Sequence, residues 1–296
     1  MGFAPLGRDV SRLVLGSLVV STDVLDEYVR LGGNAIDTAH VYNDGDSERA
    51  LGAWMESRPG VRERLTVLSK GAHPSADRRR VTPEDITCDL RDTLARLRTP
   101  VDLYLLHRDD PSMPVGPIVE SLNEHREAGR LRAFGASNWT CARIDEANEY
   151  ARDHGLEGFS CSSVHLSLAT QNEEHWPDTL SACDGAIAAW HERTRMPLFA
   201  WSAQARGYFA GHVDERVYDN DDNRERRQRA EVVAERVGAT ANQVALAWVL
   251  HQPFPVYAIF GVRTVESLRD ALGAVDVELT EEELRWLNLE PATIRA

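Results

Sequence analysis

No apolar run in this 296-residue chain approaches the roughly 18 to 20 residues that a membrane span needs, although 43% of the residues are hydrophobic. The first residues, Met1 to Asp9, lack a basic segment followed by a long apolar stretch, so no secretory signal is expected. Cysteine is scarce. Cys88, Cys141, Cys161 and Cys183 stand far apart with no C-x-x-C pair, which fits free thiols in a reducing compartment better than a disulfide framework. Neither a G-x-G-x-x-G nor a P-loop pattern occurs, so a Rossmann-type nucleotide domain is not supported. Surplus positive charge is absent too: the net charge of −14 repels phosphate backbones and anionic membranes and argues against both as partners. Without tandem repeats, low-complexity blocks or linkers, the expectation is a soluble, cytoplasmic, single-domain protein. Its oligomeric state is not legible.

What the chain does contain is alternation. Short apolar and β-branched runs lie near Leu13–Leu15, Asn34–Asp37, Leu65–Lys70, Val101–His107, Leu131–Ser137, Phe159–Val164, Met196–Trp201 and Pro255–Phe260, with helical patterns between them. Strand and helix in strict alternation predict a parallel sheet covered by helices. Eight runs, many ending on a polar residue, favour closure into a (β/α)8 TIM barrel over residues 1–296. Several helix starts are explicit: Thr82-Pro83-Glu84-Asp85 ahead of Ile86, Leu90, Leu94 and Leu97, Thr240 to Gln243, and Thr280 to Glu283 before a last helix ending near Leu289. Ser202 to about Asn223 has no clear period and is expected to be a functional loop. Its acidic run from Asp214 to Asp222 reads as a solvated loop and helix start.

Asp37, Lys70 and His107 each close one of the early runs, and Tyr42 follows the first of them by a short loop. In a parallel barrel such residues meet on one rim. Taken singly they also read as an ion pair, a loop aromatic and a capped histidine. Taken together they form a chemical set. A tyrosine, with a pKa of about 10 in water, needs an adjacent ammonium to lower it, and a carboxylate keeps that ammonium charged and in place. Tyr42, Lys70 and Asp37 supply those parts, and His107 is placed to hydrogen-bond a carbonyl oxygen.

The stretches Asp37-Thr38-Ala39-His40-Val41-Tyr42-Asn43-Asp44-Gly45-Asp46-Ser47-Glu48, Asp102 to His107, Gly129 to Trp139 and Phe199-Ala200-Trp201-Ser202 resemble the aldo-keto reductases, and the likeness runs nearly the whole length. The resemblance implies an NAD(P)H-dependent reductase of aldehydes or ketones, with Tyr42 as general acid, Lys70 and Asp37 tuning it, and His107 orienting the carbonyl. It further implies that Ser137 and Asn138 bind the nicotinamide carboxamide and that Trp201 stacks on the ring. Ser163 stands where the family usually has a glutamine. Ser202, Ala203, Gln204, Arg206 and Gly207 match the pyrophosphate-binding stretch, and Gly261, Arg263 and Ser267 the adenosine-phosphate loop. Arg263 favours NADPH over NADH, although a second basic residue and the Glu-Asn pair of relatives are replaced by Ser267, Asp270 and Ala271. His73, Arg108 and Trp139 are expected substrate contacts, with Asp109, Asp110 and His165 on the same rim, and this polar lining suggests a sugar-like carbonyl compound.

Two rival readings follow from the same residues. A metal-dependent barrel hydrolase would use Asp37, His40, His107, His165 and a modified Lys70, but the chain has no early His-x-His and that reading leaves Tyr42, Ser137-Asn138 and Trp201 without a role; no metal is expected. A nucleotide-binding sensor without turnover would not need the complete set of four.

Overall fold

The computed structural model describes residues 1–292. Eight parallel strands close into a barrel: β1 (Leu13–Gly16), β2 (Ala35–Asp37), β3 (Thr66–Gly71), β4 (Val101–Leu106), β5 (Leu131–Ser137), β6 (Ser162–Ser163), β7 (Leu198–Ala200) and β8 (Val256–Phe260). β8 pairs with β1 through Ala258 and Leu13, which seals the ring. All eight expected runs carry a strand. The regular part of β6 is only two residues long, because the chain on either side bends away from the ladder.

Helices surround the barrel: α1 (Thr22–Arg30), α2 (Asp46–Glu56), α3 (Pro83–Leu97), α4 (Val115–Glu127), α5 (Cys141–Asp153), α6 (Gly185–Thr194), α7 (Glu215–Tyr218), α8 (Asp221–Val237), α9 (Ala241–Leu250), α10 (Val265–Leu272) and α11 (Glu281–Leu287). The boundary signals act as expected. The Thr82 side chain accepts from the Asp85 amide, Pro83 occupies the first turn, and Ile86, Leu90 and Leu97 turn inward. Thr240 with Gln243 and Thr280 with Glu283 form capping boxes. The aperiodic stretch after β7 is more ordered than its sequence suggested, holding a 3-10 turn at Ala205–Ala210, α7 and the first turn of α8.

Two short strands, Gly2–Phe3 and Arg8–Asp9, form a hairpin that closes the N-terminal end of the barrel. Phe3 stands edge-on to Phe199 and Tyr257 at 5.7 and 5.9 Å, and it joins Val14, Leu68, Leu103 and Leu105 in the barrel interior. Along each strand, alternate residues face that interior. The alternation Leu103, Leu105, His107 and the pairs Ala35/Asp37 and Leu68/Lys70 therefore carry polar groups up the inner wall to the C-terminal rim.

Candidate active site

Asp37 ends β2, Lys70 lies near the end of β3, and His107 follows β4, so three neighbouring strands deliver them side by side. Lys70 Nζ lies 2.5 Å from Asp37 Oδ1, 3.1 Å from the Thr38 carbonyl and 3.3 Å from the Tyr42 hydroxyl. An ammonium has three donors, and each finds an oxygen. Both charged side chains are only 3% exposed. Burial alone would lower the Lys70 pKa, but Asp37 and then Tyr42 outweigh it and raise it, so the amine stays charged.

Tyr42 behaves differently from the sequence expectation. Burial raises its pKa; Lys70 pulls it back and Asp37 opposes Lys70, leaving the phenol above its ordinary value. The hydroxyl is therefore held protonated through neutrality. Its loop is tightly fixed. Asn43, Asp44 and Gly45 have φ of 49°, 52° and 85°, which turns the chain sharply into α2. The Arg96 guanidinium donates to the His40 carbonyl at 2.9 Å and to the fully buried Glu48 at 3.1 Å, while Ser69 donates to the other Glu48 oxygen at 2.7 Å. A Cβ on Gly45 would fall 2.4 Å from the Arg96 Cζ, so only glycine permits this closeness.

The His107 ring is edge-on to Tyr42 at 5.9 Å and to His73 at 4.9 Å. Burial, with Lys70, His73 and Arg108 adding to it, holds its pKa well below the usual histidine value, so the imidazole is neutral. Its Nδ1 is buried and has no hydrogen-bond partner among the described residues. Arg108 is turned inward, donating to the His107 and Pro177 carbonyls, and the His73 Nδ1 lies 2.9 Å from the Pro74 carbonyl.

The remaining expected residues divide. Asn138, at φ 58°, has its side-chain amide on Ser137 Oγ and the His107 carbonyl, which sets it beside His107. Trp201 lies just beyond β7, with His165 and Trp176 rings at 5.1 and 5.7 Å and its Nε1 buried without a partner among the described residues. Ser202, Arg206 and Gly207 have φ of 53°, 56° and 88°, and Ala205 has 46°. The loop curls through two tight turns, in which the Ala205 amide donates to the Ser202 carbonyl at 2.8 Å and the Gly207 amide to the Gln204 carbonyl at 2.9 Å. Ala203 lies beneath that curl, donating its amide to the Ile259 carbonyl at 3.4 Å. Arg206 itself sits 3.5 Å from Asp214 and against His175. Gln204 accepts from the Gly261 amide at 3.2 Å, joining this loop to the one after β8, where Arg263 is exposed.

Three expectations need correction. Trp139 is 1% exposed, donates to the Arg108 carbonyl and packs edge-on against Phe159, so it supports the rim from behind and does not face a substrate. Ser163 is fully buried and donates to the Phe199 carbonyl at 2.8 Å, which points its hydroxyl along the barrel wall. Ser267 spends its hydroxyl in the Thr264 capping box of α10. Of the residues of the hydrolase reading, Asp37 is bonded to Lys70 and His165 to Ser181, Ser167 and Tyr218, whereas His40 Nε2 only approaches Asp89 and Asp92, at 3.8 and 3.6 Å, and His107 Nδ1 has no partner among the described residues. Sequence reasoning missed the segment His175 to Asp178, which ties the loops after β3, β4 and β7 together through Arg79, Arg108 and Arg206. No periodicity marks it. A compositional signal at Lys70 was also available: it is the single lysine among 33 basic residues.

Residues 19–288 match the model of the Aldo/keto reductase family. The chain is 30% identical over 281 residues to norsolorinic acid reductase stcV of Emericella nidulans, covering 88% of this chain and 69% of that protein. It is 29% identical over 294 residues to an NADP(+) aryl-alcohol dehydrogenase of Phanerodontia chrysosporium, covering 90% and 75% respectively. A thermostable aldo-keto reductase solved with the inhibitor epalrestat superimposes with a TM-score of 0.78 at 25% identity, covering 98% of both chains.

Proposed function

The chain belongs to the aldo/keto reductase family, a group of nicotinamide-dependent oxidoreductases, and from that premise we propose that it uses NADPH to reduce aromatic or other apolar aldehydes and ketones, with Tyr42 as proton donor. The observation that carries this reading is the Lys70 ammonium, bonded at once to buried Asp37 and to the Tyr42 hydroxyl. A bound nicotinamide supplies the hydride. Tyr42 gives its proton to the carbonyl oxygen as negative charge develops there, and the Lys70 ammonium stabilises the phenolate left behind. Neutral His107 directs a ring N–H to the same oxygen and orients the carbonyl. The Ser202–Gly207 loop with Arg206 would hold the pyrophosphate, Ser137 and Asn138 the carboxamide, and Arg263 the extra phosphate that distinguishes NADPH. Trp201 offers the stacking face.

Apolar substrates replace the sugar-like ones first expected, for two reasons. The polar rim groups are engaged within the protein: Arg108 on backbone carbonyls, Asp109 on Arg143 at 3.2 Å, and His165 on hydroxyls. The loops leaving the C-terminal strand ends instead expose Leu18, Val19, Val41, Trp176 and Val213, each between 38% and 55%. The names of the relatives, norsolorinic acid reductase and aryl-alcohol dehydrogenase, point the same way.

The test follows NADPH absorbance with a panel of aryl aldehydes, aryl ketones and aldoses. Aryl carbonyls should exceed aldoses in kcat/KM by about tenfold or more, the scale of a few buried methylene groups. Tyr42→Phe should keep NADPH affinity while lowering kcat by about 10² to 10⁴. Equal rates on both substrate classes would refute the apolar assignment, and an active Tyr42→Phe variant would refute the proton donor.

A further inference from the structure

We propose that the N-terminal end of the barrel, opposite Tyr42, is a binding site for a diphosphate-bearing anion, built by Arg8, Arg62, Arg126 and Arg132. These four guanidiniums line a hollow of about 600 Å³ where the closing hairpin meets the starts of β3, β4 and β5. In a chain of net charge −14 this is a local reversal of sign. A second cavity shares Arg126 and Arg132 and adds Arg152.

The site is partly preassembled. Arg8 donates to Thr66 Oγ1 at 3.0 and 2.7 Å, and Arg62 donates to Thr99 Oγ1 at 2.9 Å and the Pro100 carbonyl at 2.6 Å. Neutral oxygens thus fix the Arg8 guanidinium and leave its charge in place, whereas Arg62 also pairs with a carboxylate. The acids nearby are Asp102, Glu63 and Glu157. Asp102 is fully buried, lying 2.9 Å from Arg62 and 3.4 Å from Arg132, and its Oδ2 also accepts the Val67 amide at 2.8 Å. Glu157 meets Arg126 at 3.3 Å, and Glu63 lies on the rim. Four lining cations against these three carboxylates leave the hollow with one surplus positive charge. Burial lowers the Arg8 pKa; Asp102 opposes that, while Arg132 and Arg62 push it further down, which reflects crowding of like charge.

The outer pair supplies the open donors: the Arg132 and Arg126 side chains are 60% and 40% exposed, and the nearest approach of Arg132 to Asp102 is through Nε. Guanidinium forks suit phosphate oxygens in pairs. The volume exceeds what one phosphate fills and falls within the range of small-molecule sites, so a diphosphate fits better than a lone phosphate. Free pyrophosphate and the diphosphate of a nucleotide share that chemistry.

The intact protein is titrated with pyrophosphate at constant ionic strength, reading Tm and the ³¹P resonance. Saturation should raise Tm by roughly 2–4 °C and broaden the ³¹P line. Arg126→Gln/Arg132→Gln should abolish both effects while leaving NADPH-dependent turnover unchanged. Arg126→Gln alone, a change at an exposed residue, should weaken binding if the double variant folds poorly. Arg206→Ala, at the other end of the barrel, should leave the response intact. ADP that shifts Tm in Arg206→Ala but not in the double variant identifies a nucleotide as the source. No response of the parent protein to pyrophosphate, a response that survives the double variant, or one lost in Arg206→Ala would each overturn the site.

Discussion

Replacing Lys70 separates the contributions of charge, shape and burial. Lys70→Met leaves the Asp37 carboxylate, 2% exposed, without its ammonium. Removing one partner of a buried ion pair costs about 3–5 kcal/mol, so the urea midpoint should fall accordingly. Turnover should drop at least as far as in Tyr42→Phe, because the phenolate loses its stabilising charge. Lys70→Arg keeps the charge but spreads it over a planar fork, whereas the native geometry needs one nitrogen at 2.5 Å from Asp37, 3.1 Å from Thr38 and 3.3 Å from Tyr42. It should recover part of the stability and little turnover, on the order of 100-fold below the parent. Composition agrees, since arginine serves at the other 32 basic positions. Asp37→Asn/Lys70→Met should restore stability without activity, because no unpaired buried charge remains. The assays are urea denaturation and NADPH oxidation with one good aryl aldehyde. Near-parental turnover of Lys70→Arg would refute the argument that a compact ammonium is required.

The pH profile of reduction should be flat between about 6.5 and 10, the ordinary histidine and tyrosine values, because His107 is held neutral below the first and Tyr42 protonated above the second; an alkaline limb centred near neutrality would contradict this. Arg263→Ala should raise KM for NADPH about 10- to 100-fold, the worth of a charged hydrogen bond, with little change for NADH, and equal changes would remove the 2′-phosphate assignment. Burial pulls the His165 imidazole down to about 3, so its contribution to stability is complete above pH 6.5 and lost as pH falls toward 3, about 5 kcal/mol over that span. Urea midpoints at pH 7 and pH 4 should therefore converge in His165→Gln, and an unaltered acid slope would assign the loss to other groups.

The eight strands, their closure and the rim position of Asp37, Tyr42, Lys70 and His107 were legible because strand pattern is local. Period-two burial carries Leu103, Leu105 and His107 along one face, and caps such as Thr82 and Thr280 satisfy orphan amides within four residues. The direction of the Tyr42 pKa was not legible. It depends on how burial weighs against one ammonium and one carboxylate, a balance set by distances of 2.5 and 3.3 Å between residues 28 to 33 positions apart.

The sequence by itself determined which side chains reach the rim, since alternation along a strand and the parallel sense of the barrel leave little freedom. Tertiary structure alone decided which of them remain available. Trp139, Ser163 and Ser267 are satisfied by partners that pattern does not reveal. It also decided that Arg8, Arg62, Arg126 and Arg132, scattered over 125 positions, surround one hollow. Hydrogen-bond satisfaction and the convergence of charge are properties of the closed barrel, because both depend on neighbours that only folding brings within reach.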